Sequence, residues 1–190
     1  MRPVAALPLA PLDRLRAEVR SASWFAALGE PLIPGDLADA EAYATALDLG
    51  PLTVELARDW PQAEALLKSR DWSPAWWERE ETMRRALLGQ AETLHGERAL
   101  WTALTELTTD AGEMVHGKAA TAAARMGDAA KASVHVAAGA ASQAVYQLAV
   151  ERMAGPRLAG ENASPFESKF RLFAAGRWPL GIMGSRLILF

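Results

Sequence analysis

Ser73-Pro74-Ala75-Trp76-Trp77-Glu78-Arg79-Glu80-Glu81 opens a stretch that runs to Gly155 without another proline, although prolines recur before and after it. Proline breaks helices by removing a donor and clashing with the preceding turn. Residues 75–155 are rich in Ala, Leu, Glu, Gln and Arg, which favour helix. The stretch therefore predicts long helices that fold back on one another and supply most of the core. Its start is marked three ways. Ser73 suits the N-cap, Pro74 suits the first helical position, and Glu78, Glu80 and Glu81 complement the helix dipole.

Working outward from that start, the first long helix is predicted to reach Leu107, with Leu87, Ala91, Leu94, Trp101 and Leu104 as a core-facing stripe. Thr108, Thr109, Asp110 and Gly112 then cluster, and Asp110 with Glu113 has capping-box spacing, which predicts a break. A second helix follows to Met126. Gly127-Asp128 reads as a stop and a cap, and a third helix runs to about Ala154, ended by Gly155-Pro156. About half of the residues from Ala119 to Ala141 are alanine, with Gly127 and Gly139 among them. Small side chains let helix backbones approach, so 113–126 and 129–153 are expected to pack as a close antiparallel pair.

On the N-terminal side, residues 1–11 read as a flexible lead-in interrupted by Pro3, Pro8 and Pro11. Leu12, Leu15, Val19, Trp24 and Leu28 predict a helix over 12–28 that stops at Gly29. Asp36 is expected to cap a helix over 37–49. A short helical piece is expected at 53–58, and Pro61 is expected to start a helix to about Ser69. Beyond Pro156 the composition changes. Residues 157–165 are expected to be a polar loop, and 166–172 suit a short helix or a strand. The apolar runs 177–183 and 186–190 around Gly184-Ser185 predict a β-hairpin, in which Pro179 must lie on an edge or bulged strand. The apolar end Leu187-Ile188-Leu189-Phe190 should dock on the helices. The fold class expected is all-α, a single domain over 1–190 built as a bundle of about five to six helices with a small C-terminal β-hairpin.

Composition narrows function by exclusion. Of 190 residues, 51% are apolar and 23% charged, as in an ordinary globular domain. The net charge of −3 gives no general attraction to a phosphate backbone, so nucleic acid is not an expected partner. With no cysteine there is no disulfide, thiolate chemistry or cysteine–zinc site. The most apolar later run, 134–150, is too short and polar to span a bilayer, so no membrane partner is expected and the expected compartment is the cytoplasm. No phosphate loop or nucleophile elbow is present.

Two constellations remain. Trp60, Trp72, Trp76 and Trp77, with Trp178 near the C-terminus, are candidates for an aromatic binding surface. Tryptophan combines a large apolar area with one donor, and it serves equally to fill a core. Glu92-Thr93-Leu94-His95 and Glu113-Met114-Val115-His116 both have the Glu-x-x-His spacing of di-iron and di-manganese carboxylate bundles, and His135 lies in the same region. With a turn near Thr109, His95 and His116 would sit roughly 10 Å apart along the bundle. His116 and His135 are better matched around Gly127. The leading expectation is a non-enzymatic binding or assembly protein with a protein partner or a second copy, needing no cofactor. The alternatives are an iron- or manganese-dependent oxidoreductase using Glu92, His95, Glu113, His116 and His135, and a bundle that binds a small apolar ligand.

Overall fold

The computed structural model describes residues 10–127, 131–155 and 164–190. Most of the expected lead-in, residue Asp128 of the expected cap, residues 129–130 of the expected third helix, Pro156, and residues 157–163 of the expected polar loop lie outside the described residues. The chain is mainly α with a small C-terminal β element. In order, the elements are α1 (Ala10–Ser21), α2 (Pro34–Ala46), β1 (Thr53–Leu56), α3 (Trp60–Leu67), α4 (Pro74–His95), α5 (Glu97–Arg125), α6 (Lys131–Met153), α7 (Pro165–Ala174), β2 (Pro179–Met183) and β3 (Arg186–Leu189). Among the described residues no helix is long and apolar enough to cross a membrane.

Helix α4 starts where the sequence places it: Ser73 accepts from the Trp76 amide and Pro74 follows it. It ends at Gly96, not near Thr109. Gly96 has φ 79°, a left-handed conformation that glycine adopts without a Cβ clash. The cluster around Thr109 lies inside α5. Thr108 donates its hydroxyl back to the Leu104 carbonyl at 2.8 Å, and Leu104, Leu107, Ala111 and Val115 bury one continuous stripe. Core burial along that stripe outweighs the weak helix propensity of Thr, Asp and Gly. The break at Gly96 also resets the helical phase. Leu94 and Trp101, expected in the core, are 60% and 40% exposed, while α5 buries Leu100 and Ala103 beside the expected Leu104.

Helices α5 and α6 form the expected antiparallel pair, lined by buried alanines that include Ala119, Ala122, Ala123, Ala137 and Ala141. Gly139 takes no part in that contact: it is exposed, and a Cβ there would meet nothing within 4 Å. Ala123→Leu, at a position 2% exposed, is expected to cost about 1–3 kcal/mol by overpacking. Gly139→Leu should leave the helix contact intact. Urea denaturation of the two variants side by side checks both halves of the statement.

The C-terminal hairpin forms, with β2 on the edge and a register irregularity between Pro179 and Gly181. Segment 53–58 is not helical as expected. Thr53–Leu56 is a strand, β1, lying parallel to β3, so the sheet order is β1-β3-β2 with β3 central. Strand β3 offers an open edge, and four residues after Gly50-Pro51 are too few to nucleate a helix against it. The C-terminal residue is docked: Phe190 exchanges both backbone hydrogen bonds with Trp178 and is 0% exposed. Helix α1 stops at Ser21 rather than Leu28. The following turns fold onto the end of α7, with Ala27 N–H donating to the Gly176 carbonyl. The side chains expected on the first helix's buried side, Leu12, Leu15, Val19, Trp24 and Leu28, are all buried.

Candidate functional site

The five tryptophans do not form one surface. Trp60 and Trp178 are each 1% exposed and lie in an aromatic core with Phe25 and Phe190, their own ring centres 5.9 Å apart. Neither ring offers exposed surface in this fold. Trp72 and Trp76 are half-buried, 6.0 Å apart, and lie over the backbone of Gly181. A Cβ at Gly181 would stand 2.6 Å from both rings, and its φ is 141°, so the close approach requires glycine. Trp77, the next residue of α4, is 58% exposed.

Beneath Trp76 is a polar network that sequence reading missed. The Trp76 indole N–H donates to the Tyr43 hydroxyl at 2.6 Å, and Tyr43 donates to Glu80 at 3.1 Å. Lys169 donates to the same Glu80 oxygen at 2.6 Å and to Gln147 at 3.2 Å. Tyr43, Glu80, Gln147 and Lys169 are all buried, and they come from α2, α4, α6 and α7. Burial first, and then the Glu80 charge, push the Tyr43 hydroxyl well above its ordinary pKa, so it stays a neutral donor. The network therefore satisfies buried polar groups and ties four helices together. A sequence signal for it exists. In α7, Phe166, Phe170 and Phe173 mark the buried stripe, and Lys169 falls on that stripe at helical spacing.

A second buried ion pair joins Arg177 to Asp36 at 2.9 Å. Arg177 also donates to the carbonyls of Ala27, Glu30 and Pro31. Asp36 is not an N-cap residue, as expected from sequence, but the third residue of α2, where its carboxylate accepts from the Ile33 amide at 2.9 Å.

On the face shared by α4, α5 and α6, Trp101 stacks on Tyr146 with ring centres 6.4 Å apart, and the Arg84 guanidinium lies 5.9 Å from the Tyr146 ring centre. Hydrogen bonds from Arg84 hold Glu81 down to about 2, with Arg85 adding to the effect and partial desolvation opposing it. A depressed carboxylate contributes stability above the ordinary glutamate range, and that contribution is lost as pH falls toward 2.

The histidines separate into one and two. His95, at the end of α4, meets the Met153 carbonyl at 2.8 Å, and Glu92 accepts from the Trp101 indole at 3.3 Å. His116 lies roughly 30 Å further along α5 at about 1.5 Å per residue. The five-residue Glu/His set thus does not converge, and among the described residues no three His, Asp or Glu side chains are grouped to hold a metal. His116 and His135 do meet across α5 and α6, with ring centres 4.8 Å apart. Two grooves on the described surface are open to solvent and carry charged residues. One is lined by Glu97, Arg98, Trp101 and Glu106, the other by Leu47, Asp48, Glu78, Arg79 and Met83. No family model, no curated protein and no solved structure matches the chain.

Proposed function

We propose that the chain is a non-enzymatic binding or assembly protein that docks a protein partner through α4. The observation that carries this reading is how little of α4 the fold covers. Of its 22 residues only Glu80 and Ala91 are fully buried, while Trp77, Met83 and Leu94 are left 58%, 36% and 60% exposed along its length. Exposed apolar area of this kind favours association, at roughly 25 cal/mol per Å² removed from water. Tryptophan is the residue type most enriched among side chains that dominate interface energies. The net charge of −3 and the open, charged grooves favour a protein surface over nucleic acid or an enclosed apolar ligand.

A second copy of the chain is the first partner to test, because most oligomers are homo-oligomers with a self-complementary interface. Sedimentation from about 1 to 100 µM, the range of a modest dimer, is expected to show a concentration-dependent dimer. Trp77→Asp and Leu94→Asp should each convert it to monomer with little change in melting temperature, since both side chains are already exposed. A parent chain that stays monomeric across that range removes self-assembly through α4.

A further inference from the structure

We propose that His116 and His135 form a binding site for one divalent transition-metal ion of the zinc, nickel or copper class, clipping α5 to α6. The two imidazoles come from neighbouring antiparallel helices, both residues are exposed, and their ring centres are 4.8 Å apart. Two imidazole nitrogens on one ion at about 2.1 Å, with an angle between the tetrahedral and right-angle values, place the ring centres about 4.6–5.3 Å apart. The observed spacing of 4.8 Å falls within that window. Imidazole suits zinc, copper and nickel, whereas calcium and magnesium prefer oxygen donors.

The site differs from the five-residue oxidoreductase centre in both ligands and chemistry. His95, the last residue of α4, is occupied by the Met153 carbonyl, and Glu113, one turn before His116, does not complete a group of three. Two protein ligands leave the remaining coordination positions to water. The ion is therefore exchangeable, and its effect is to close the segment between residues 116 and 135 against unfolding. This site is independent of the α4 docking face, and either can fail without the other.

The test uses untagged full-length protein, stripped with chelator and melted with and without Zn2+ or Ni2+ at about 0.5 mM. An ion that binds only the folded chain raises its melting temperature in proportion to ln(1 + [L]/Kd). A rise of at least about 3 °C is expected, with one ion per chain by titration calorimetry. His116→Ala and His135→Ala should each abolish the rise and keep the parent's melting temperature in chelator. His95→Ala should retain the full rise even if that variant melts lower in chelator. An unchanged parent, a rise that survives either His116→Ala or His135→Ala, or a rise lost in His95→Ala overturns the proposal.

Discussion

Arg177→Ala is expected to lower stability by about 3–5 kcal/mol, the range for breaking a buried ion pair from one side. Arg177 and Asp36 are each 2% exposed. The guanidinium donates to Asp36 and to the carbonyls of Ala27, Glu30 and Pro31, so removing it leaves the buried Asp36 carboxylate without its counter-ion, with only the Ile33 amide still donating to it among the described residues, and takes a donor from three part-buried carbonyls. The loss falls on the segment joining the turns after α1 to the start of α2, which this residue ties to the end of α7 alongside the backbone bonds from Ser23 to Ala174 and from Ala27 to Gly176. Arg177→Lys keeps the charge but has no planar fork to reach several carbonyls, and it should recover only part of the loss. Urea denaturation reads both variants. A loss under about 1 kcal/mol for Arg177→Ala would show that water replaces the guanidinium at these acceptors and that packing and the backbone hydrogen bonds hold the segment without it.

Lys169→Met should be nearly as damaging, at about 3–5 kcal/mol, because it leaves the Glu80 carboxylate buried with, among the described residues, only the Tyr43 hydroxyl as donor. The informative comparison is the double variant Glu80→Gln/Lys169→Met. Replacing both charges removes the uncompensated ion, and the amide oxygen introduced at position 80 can still accept from Tyr43. The double variant is therefore expected to be more stable than Lys169→Met alone, with a coupling energy of about 1–3 kcal/mol between the two positions. Additive losses in the double-variant cycle would mean that the ion pair has no energetic coupling and that Lys169 acts only through Gln147.

How much of this was legible follows from the range of each signal. The start of α4 was readable because its three determinants lie within nine residues of one another and act on the helix they begin. The hairpin was readable because Gly184-Ser185 separates two apolar runs that pair with each other. The break at Gly96 was missed although a lone glycine after His95 was in view. The Thr108–Gly112 cluster offered the stronger local signal, and burial of Leu104, Leu107 and Ala111 overrode it. A helix running unbroken through Gly96 would turn Leu94 and Trp101 to the core, whereas both are exposed apolar side chains near the α4–α5 turn. Strand β1 was missed for a different reason: four residues carry no periodicity, and their state depends on a partner strand 133 positions away in the Thr53–Arg186 pairing (186 minus 53).

The sequence by itself determined the elements whose causes are local: long helices where proline is absent, a C-terminal hairpin, and a tail too apolar to remain in water. It also brought His116 and His135 within reach, since both are counted from one turn at Gly127. Only the tertiary structure decided which tryptophans are core and which are surface. It alone joined Glu80 to Lys169 and Asp36 to Arg177, and placed β1 beside β3. The physical reason is that burial, ion pairing and strand pairing are properties of two or more segments together. Helix propensity, capping and turn chemistry belong to a few consecutive residues, whereas Trp77 and Trp178 look alike until the chain has chosen what covers each of them.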